Sequence, residues 1–400
     1  MREWKVIKIG SVFQIASGGT PSRSKPEYFT NGTIPWVKTG DLKGMYANEP
    51  DEYITEEALK NSSAKIFPKN TVLLAMYGAT IGACSILPFE AATNQACGAI
   101  LPNNFCDVLY LFYYLKSIKS QLIGRGVGAA QPNISGSIIK NTKIPLPPLP
   151  IQQKIANVLD TADSIKRKDL ELLAKYKELS HALFLDMFGD PISNPKKWKV
   201  KKLKEISTKI HSGNTPKGGS AVYVEEGITF FRSQNVWKNR LVYEDIAFIH
   251  KTTHDKMVKS SLKHRDILMT KTGRINTENS SLGRAAMYLG EDDKANVNGH
   301  VYFIRLKKGI LNEFVLHILT TKEYRGHIRN VCVGGIDKRQ LNKGHIEDFP
   351  IIDPPIELQH KFIERLSIIE QQKSITQKSL KKSEELFKSL LQKAFKGELV

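Results

Sequence analysis

The longest regular pattern in the chain is an apolar repeat that follows a proline-rich segment at residues 144–150. Its apolar positions alternate between spacings of three and four residues, and Asp169 is the one polar interruption. The apolar residues are Ile155, Val158, Ala162, Ile165, Leu172, Tyr176, Leu179 and Leu183. This spacing is typical of a coiled-coil seam. Gly189 and Pro191 end the pattern, which predicts a helix from Ile151 to Phe188, roughly 57 Å long at about 1.5 Å per residue.

The same pattern occurs again near the end of the chain. A shift of 207 residues places Pro147–Pro148 on Pro354–Pro355, Gln152 on Gln359 and Phe188 on Phe395. A match of that length without a gap indicates an internal duplication. The second copy predicts a seam at Leu366, Ile369, Leu380, Phe387 and Leu390. A single amphipathic helix cannot bury its seam alone, so the two copies are expected to pair in antiparallel fashion.

The segments before the two helices also repeat. Ser17–Pro21 corresponds to Ser212–Pro216, and the predicted strand Ile34–Val37 corresponds to Ile228–Phe231. The continuous apolar run TVLLAMY at 71–77 predicts a buried strand, and 108–122 has helical spacing. The fold class is therefore α+β: two homologous mixed α/β domains, at 1–143 and 191–348, are separated by two long antiparallel coiled-coil helices, at 144–190 and 349–400, in a pseudo-two-fold internal repeat.

Charge and composition limit the classes of binding partner and the cellular compartment that we expect for this protein. Lys and Arg number 59 against 40 Asp and Glu, and the net charge of +19 favours a polyanion such as nucleic acid. The four cysteines have no metal-ligand spacing. No signal peptide and no stretch of transmembrane length is present in the sequence. These features predict a cytoplasmic, reduced protein without a membrane partner.

Catalytic motifs are incomplete. The segment 213–219 has the glycines of a phosphate loop without its Lys-Ser/Thr end. Asp353–Ile356 resembles the Asp-Pro-Pro-Tyr loop of amino-group DNA methyltransferases but lacks the aromatic residue, and the first copy reads Leu146–Leu149 at the same place. The prolines are better explained as the start of a helix. We therefore expect no catalytic residue, no metal and no cofactor in this chain.

Several motifs in fixed order resemble the specificity subunit of type I restriction–modification enzymes. They are the Ser17–Pro21 turn, Ile34–Val37 with Asp41, Gln131–Ile134, Pro145–Pro148 followed by Gln152–Ile155, and Pro354–Pro355 with Leu358–Gln359. The hallmark of that family is two variable target-recognition domains separated by two repeated helical regions, and here it covers nearly the whole chain.

The resemblance implies a non-catalytic subunit that reads a bipartite, asymmetric sequence in double-stranded DNA, with one half-site for each domain. The helices would fix the spacer and bind two methyltransferase subunits, and two restriction/motor subunits would join where cleavage accompanies methylation. S-adenosylmethionine, ATP and Mg²⁺ are then expected on those partners. The alternatives are a stand-alone DNA-binding or architectural protein without methyltransferase partners, and an enzyme with an unrecognised site.

Candidate DNA-contacting residues are polar or basic side chains in glycine-rich loops near predicted strand ends, because Arg matches a guanine edge and Asn or Gln an adenine edge. In the first domain they are Thr20, Ser22, Arg23, Lys38, Thr80, Asn94, Gln95, Arg125, Gln131 and Asn133. In the second they are Asn214, Lys217, Arg232, Gln234, Lys271, Arg274, Asn276, Asn298, Lys338 and Arg339. Candidate partner-binding residues near the helix ends are Leu173, Leu185, Leu358 and Leu391.

Overall fold

The computed structural model describes residues 4–126, 133–275, 279–335 and 338–399. The chain divides into two compact units: unit 1 comprises Met1–Leu172 with Ile375–Val400, and unit 2 comprises Leu173–Ser374. Each unit therefore combines a globular segment with one part of each long helix. No helix among the described residues is long and apolar enough to span a membrane.

The globular part of unit 1 is built from short strands and short helices. Its strands are β1 (Val6–Lys8), β2 (Ile15–Ser17), β3 (Ile34–Val37), β4 (Tyr53–Ile54), β5 (Ile66–Phe67), β6 (Val72–Ala75), β7 (Cys84–Ile86), β8 (Ala91–Thr93), β9 (Cys97–Ile100) and β10 (Lys143–Pro145). Its helices are α1 (Glu56–Lys60), α2 (Val108–Ser117), α3 (Lys119–Gly124) and α4 (Gly136–Asn141). The strands form two four-stranded sheets, ordered β2-β9-β6-β7 and β4-β3-β8-β5, and a separate β1-β10 pair.

The apolar runs of the sequence form the centre of unit 1. Strand β6 is buried along its whole length, as its continuous apolar run predicts. The predicted helix at 108–122 is present as two helices, α2 and α3, which are separated at Ile118. The carboxylate of Asp107 caps α2 by accepting from the Tyr110 amide at 2.9 Å, and Tyr110 and Tyr113 are buried in the core.

The first long helix, α5, spans Leu149–Phe188. Its start is tied to the globular part of unit 1 by the buried side chain of Gln152. The Gln152 Nε2 donates to the Pro147 carbonyl at 2.8 Å and to the Phe105 carbonyl at 3.1 Å, while its Oε1 accepts from the Asp107 amide at 2.9 Å. One glutamine therefore joins the proline segment, the helix and the entry to α2.

Unit 2 repeats this organisation with more strands. They are β11 (Lys199–Lys202), β12 (Ser207–Ser212), β13 (Tyr223–Val224), β14 (Ile228–Phe231), β15 (Val236–Trp237), β16 (Arg240–Leu241), β17 (Ala247–Ile249), β18 (Ile267–Thr270), β19 (Thr272–Gly273), β20 (Ala285–Met287), β21 (Ala295–Val297), β22 (Val301–Leu306), β23 (Val333–Gly334), β24 (Arg339–Gln340) and β25 (Pro350–Asp353). Its short helices are α6 (Leu203–Ile206), α7 (Lys251–Lys256), α8 (Asn312–Thr320), α9 (Lys322–Val331) and α10 (Lys343–Glu347). It has two four-stranded sheets, β12-β22-β18-β20 and β13-β17-β14-β21. The first corresponds to β2-β9-β6-β7 of unit 1, and in the second β17, β14 and β21 correspond to β4, β3 and β8. Smaller sheets join β15 to β16, β11 to β25, and β19 to β24 and β23.

The second long helix, α11, spans Ile356–Ala394. Gln359 repeats the role of Gln152, because its Nε2 donates to the Pro354 carbonyl at 2.8 Å. In unit 1, the part of α11 that carries Phe387 and Ala394 packs on the part of α5 that carries Ile155 and Leu159. In unit 2, Phe362 of α11 packs in the same core cluster as Phe184 and Phe188 of α5.

Burial follows the predicted seam along α11 and at half of the predicted positions on α5. Leu366, Ile369, Leu380, Phe387 and Leu390 are buried or partly buried, as are Ile155, Ala162, Tyr176 and Leu183. The prediction is wrong for Val158, Ile165, Leu172 and Leu179, which are exposed. Ala156 and Leu159 are buried in the α5 seam instead. The α5 sequence carries two neighbouring apolar stripes, and spacing alone does not tell which of them faces the core.

The polar interruption of the α5 seam is a hydrogen-bonded site. The buried carboxylate of Asp169 accepts from the Ser379 hydroxyl at 3.0 Å and from the Ser383 hydroxyl at 3.2 Å, both on α11. A buried carboxylate without such donors would be costly, so this pairing favours one alignment of the two helices in unit 1.

An aromatic cluster fills the core of unit 2 around a histidine. The ring of His317 on α8 lies 5.0 Å from the ring of Phe184 and 4.8 Å from that of Phe362. Burial lowers the pKa of His317 to about 4, with a smaller contribution from His181. The folded protein therefore keeps this imidazole neutral at pH values where an unfolded chain protonates it.

We expect unit 2 to lose stability on mild acidification because of His317. The ordinary histidine pKa is about 6.5, so the contribution is complete above that value and is lost as pH falls towards 4. At about pH 5 the loss relative to neutral pH is about 2 kcal/mol. Urea unfolding followed by circular dichroism should show a smaller pH dependence in His317→Phe than in the wild type.

His360→Gln provides the control, because His360 is an exposed histidine on α11. This variant should keep the wild-type pH dependence. Equal pH dependence in His317→Phe and the wild type would contradict the assignment.

Candidate nucleic-acid interface

Parallel strand pairs bring polar loops together in unit 1. Strands β3 and β8 run parallel, with Val37 opposite Thr93, so the loops that follow them leave the sheet side by side. The Asn94 amide donates to the Val37 carbonyl at 3.1 Å. The Asp41 carboxylate accepts from the Lys38 amide at 2.8 Å and fixes the turn after β3. Lys38 and Asn94 thereby become neighbours although they lie far apart in sequence.

The glycine turn at 17–21 packs onto the same edge of the sheet. The Gly19 amide donates to the Thr93 carbonyl at 2.9 Å, and the Trp36 indole donates to the Gly19 carbonyl at 3.1 Å. A Cβ on Gly18 would come within 2.0 Å of the Thr93 carbonyl oxygen, so only glycine fits there. The turn places Thr20 where its hydroxyl is hydrogen-bonded to the side-chain oxygen of Gln95.

Unit 2 builds the same edge with other residues. Strands β14 and β21 run parallel, and the Asn298 amide donates to the Phe231 carbonyl at 3.0 Å. Asn235 takes the role of Asp41 by accepting from the Arg232 amide at 3.0 Å. A Cβ on Gly213 would lie 1.9 Å from the Val297 carbonyl oxygen. The two units thus share the same backbone arrangement at this edge and differ in the side chains that the arrangement presents.

Two cations and one acid meet at the strand end of unit 1. Arg23 Nη1 lies 2.6 Å from Glu52 Oε2, and the ammonium of Lys38 pairs with the other carboxylate oxygen. The guanidinium lies 4.5 Å from the ring centroid of Phe29 and 5.0 Å from that of Trp36. The hydrogen bond from Arg23, followed by that from Lys38, holds the pKa of Glu52 below its usual value against the opposing effect of burial.

The strand end of unit 2 has a similar group. Arg232 Nη2 lies 3.1 Å from Asp245 Oδ2, and Gln234 Nε2 donates to that oxygen at 3.0 Å. The hydrogen bonds from Gln234 and then from Arg232 lower the pKa of Asp245. Asp245 has a left-handed φ of 55°, and its backbone carbonyl also accepts from the Arg232 guanidinium. The guanidinium lies 5.7 Å from the Tyr223 ring centroid.

Unit 2 also contains a basic cleft of about 420 Å³. Its lining residues among those described are Thr272, Gly273, Arg274, Asn279, Ser280, Ser281, Arg284 and Lys338. The buried Arg284 donates through Nε to the Ser280 carbonyl at 3.0 Å, and its guanidinium lies 3.9 Å from the Trp237 ring centroid. The cleft therefore brings the predicted residues Arg274 and Lys338 together beside a fixed third cation.

Both strand ends have buried polar atoms without a hydrogen-bond partner in the described parts of the chain. They are the Asn94 side-chain oxygen and the Thr93 hydroxyl in unit 1, and Nε of Arg232 in unit 2. Buried polar groups in folded proteins are nearly always paired. Unused hydrogen-bonding capacity therefore lies at the end of β8 in unit 1 and after β14 in unit 2.

The other predicted site residues lie apart from the strand-end groups or take part in local structure. Ser22, Arg125, Asn133, Asn214 and Lys217 are exposed, and Thr80 is half-buried. The Asn298 side chain accepts from the His300 amide at 3.0 Å, and Arg339 donates to the Cys332 carbonyl at 3.2 Å. Lys271 Nζ lies 5.9 Å from the Tyr302 ring centroid. Gln131 and Asn276 lie outside the described residues.

Several residues of these groups were not predicted from the sequence. Glu52 and Asp245 neutralise the strand-end cations, and Arg284, which lies over the Trp237 ring, lines the basic cleft. Each reaches its site through a contact between distant segments, so no motif or spacing marks it. Among the described residues, no group of three or more His, Cys, Asp or Glu is placed to hold a metal ion.

These features define a duplicated α+β protein with a polar loop group at one sheet edge of each unit. A family model described as the type I restriction modification DNA specificity domain matches residues 1–175 and 195–385. Because the two matches cover most of the sequence, the chain belongs to this family.

Similar proteins span the chain nearly end to end. The MjaIX type I restriction enzyme specificity subunit of Methanocaldococcus jannaschii is 29% identical, over 100% of this chain and 94% of that protein. The EcoKI specificity subunit of Escherichia coli K12 is 22% identical, over 99% of this chain and 89% of its own length. The crystal structure of the type I restriction-modification S subunit from M. genitalium matches with a TM-score of 0.59 at 17% identity, over 98% of this chain and 96% of that one. This structural likeness supports the fold.

Proposed function

We propose that this specificity subunit reads a bipartite, asymmetric DNA sequence, with one half-site for each unit, and carries no catalytic site of its own. The proposal is supported by the sheet edge at which the parallel strands β3 and β8, or β14 and β21, end. This edge has the same backbone arrangement in both units but presents different polar side chains. A duplicated scaffold with diverged side chains suits two readers of different sequences. Base edges in the major groove differ in their donors and acceptors, so different side chains select different bases.

The charge of the chain supports DNA as the ligand. The net charge of +19 provides attraction to phosphates that does not depend on sequence. The side chains of Arg23, Lys38 and Arg274 at the loop groups are exposed or partly exposed. Arg and Lys are the residues that most often contact guanine edges. We further propose that the methyltransferase and restriction/motor partners hold S-adenosylmethionine, ATP and Mg²⁺.

Replacing Arg232 or Arg274 by Ala is expected to change base preference at one half-site and leave the other unchanged. A lost bidentate contact to a base costs about 1–3 kcal/mol of discrimination. Mapping of methylated adenines in cells that carry the variant with its partner subunits measures both half-sites at once. Lys251→Ala is the control, because Lys251 lies on helix α7 and pairs with Asp255 of the same helix.

The outcome for Arg232 and Arg274 also separates base contacts from backbone contacts. A uniform loss of methylation over all sequences would assign the residue to a phosphate. A genome-wide methylation pattern that did not depend on this chain would contradict the proposed function itself.

We propose that the two long helices fix the length of the unread spacer between the half-sites. Helix α5 runs without a break from unit 1 into unit 2, and α11 runs from unit 2 back into unit 1. A continuous α-helix has a fixed rise for each residue. The Asp169 pairing with Ser379 and Ser383 supports one alignment of the helices within unit 1.

Inserting seven residues after Leu172 in α5 and seven after Ser374 in α11 should lengthen the preferred spacer. Seven residues retain the alternation of three and four, so both seams keep their apolar positions. The insertions add about 10 Å, or about three base pairs at about 3.4 Å each. Methylated-adenine mapping should find both half-sites unchanged and the spacer longer, and an unchanged spacer would refute this role of the helices.

We propose that a methyltransferase subunit binds an exposed apolar stripe on α5, consisting of Val158, Ile165, Leu172 and Leu179. These side chains lie seven residues apart and are 39%, 43%, 41% and 51% exposed, respectively. Such a stripe beside an occupied seam is what a further helix would cover. The earlier candidates suit this role less well, because Leu185 and Leu358 pack on the core of unit 2 and Leu391 on that of unit 1. Leu173 is half-buried.

Replacing Ile165 and Leu172 together by Lys should weaken methyltransferase binding by at least about tenfold, because two charges would enter an apolar contact. Size-exclusion chromatography and calorimetric titration with the purified methyltransferase measure the change. Leu170→Lys is the control on the same helix, because Leu170 is exposed but lies outside the stripe. Unimpaired binding by the double variant, or equal loss in the control, would contradict docking on the stripe.

A further inference from the structure

In both units an acidic side chain pairs with a cation at the sheet edge where the parallel strands end. These strands are β3 and β8 in unit 1 and β14 and β21 in unit 2. We call this edge the reading edge, because the proposed function places the DNA contacts there. In unit 1, Glu52 binds Arg23 at 2.6 Å through one carboxylate oxygen and Lys38 through the other. Arg23 is also stacked near Phe29 and Trp36, so its guanidinium has a defined position. The carboxylate of Glu52 thereby pairs with two cations that would otherwise attract phosphate.

Unit 2 reaches the same arrangement with other residues. Asp245 binds Arg232 at 3.1 Å and accepts from Gln234 at 3.0 Å. Its left-handed backbone turns both its carboxylate and its carbonyl oxygen towards Arg232. The Arg232 side chain is only 18% exposed, whereas that of Asp245 is 77% exposed. The acid therefore lies on the solvent side of the cation that it holds.

The two acids do not occupy equivalent positions in the repeat. Glu52 directly precedes β4, which pairs antiparallel with β3, whereas Asp245 lies two residues before β17, which pairs antiparallel with β14. The two residues also belong to different types. Inheritance from a common ancestor of the two units therefore does not by itself account for both ion pairs. The same electrostatic arrangement at two different positions points to a requirement of the reading edge.

A carboxylate beside an Arg or Lys changes what that cation can bind. A phosphate that approached the pair would meet the negative charge of the carboxylate, and like charges in contact disfavour a partner. A base edge carries no net charge, and those N–H groups of the cation that remain accessible beside the acid can donate to its acceptors. An acid-held cation is thus a poor phosphate ligand and a fixed donor to bases.

We propose that Glu52 and Asp245 are specificity-determining positioning residues that keep the strand-end cations off the DNA backbone and orient them towards base edges. This inference rests on the proposed function, because it assigns a role within DNA reading. It differs from a structural role for the ion pairs. A purely structural role would change the stability of the loops without steepening the salt dependence of DNA binding.

The test uses Glu52→Gln and Asp245→Asn in the full chain with its methyltransferase partner. Both substitutions keep the shape of the side chain and remove its charge. Fluorescence anisotropy would measure Kd for four duplexes of equal length at several salt concentrations. They are the target found by methylated-adenine mapping, the target altered in the first half-site, the target altered in the second, and an unrelated sequence.

We expect each variant to bind the unrelated duplex more tightly and to lose discrimination, on the order of tenfold, at one half-site only. The two variants should affect opposite half-sites. The dependence of log Kd on log salt should become steeper by about one for each cation that is released to phosphate. This change in salt dependence is a readout that a merely structural role would not move.

Matched controls remove the same charge from another ion pair of the same unit. Glu56→Gln breaks the Lys60 pair in unit 1, and Asp255→Asn breaks the Lys251 pair in unit 2. Variants that behave like these controls, or that weaken both half-sites equally, would overturn the inference while leaving the proposed function intact. A wild-type complex that did not distinguish the four duplexes would overturn the proposed function and the inference together.

Discussion

The close approach of a glycine turn to the end of a parallel strand is the constraint on which the strand-end groups of both units depend. At Gly18 and Gly213 a side chain would collide with the carbonyl of Thr93 or Val297, so the backbone path of the turn is fixed. The hydrogen bonds that follow from this packing also fix the loops after β3 and β14. The scaffold can then stay constant while the side chains at the loop tips diverge. Under the proposed function, a duplicated protein that reads two sequences needs this separation between the scaffold and the contacting side chains.

The two long helices likewise combine a part that stayed the same after duplication with a part that diverged. Gln152 and Gln359 hold their proline segments in the same way, so the two helix starts remained alike after duplication. The seam between the helices is not uniform, because Asp169 with Ser379 and Ser383 places a polar contact within unit 1, whereas unit 2 uses the aromatic cluster around Phe184 and Phe362. Apolar seams tolerate sliding, and buried polar pairs do not. The polar pairing therefore adds a preference for one register to the burial provided by the apolar positions.

The sequence predicts the structural features that depend on the spacing of apolar residues and on the internal duplication. The bounds of α5, strands β3 and β6, and the pairing of the helices follow from spacing and from the repeat. The face of α5 does not, because Val158, Ile165, Leu172 and Leu179 form a regular stripe that resembles a seam until the packing of Leu159 on its partner is known. At the reading edges, Arg23 and Lys38 are recognisable as candidates, yet Glu52 is not. Its importance arises from a contact between separate loops, which no local pattern encodes.

The acids paired with the strand-end cations indicate that the basic residues of the chain do not all have the same role in the proposed function. A net charge of +19 explains attraction to any polyanion, but attraction alone would hold the chain on every sequence equally. Cations that already have a carboxylate partner add little to that attraction, because binding phosphate would require the ion pair to break or the carboxylate to face a second anion. Their remaining donors are better matched to neutral acceptors. Under the proposed role of Glu52 and Asp245, the dispersed Lys and Arg residues supply affinity for DNA and the few paired cations supply discrimination between sequences.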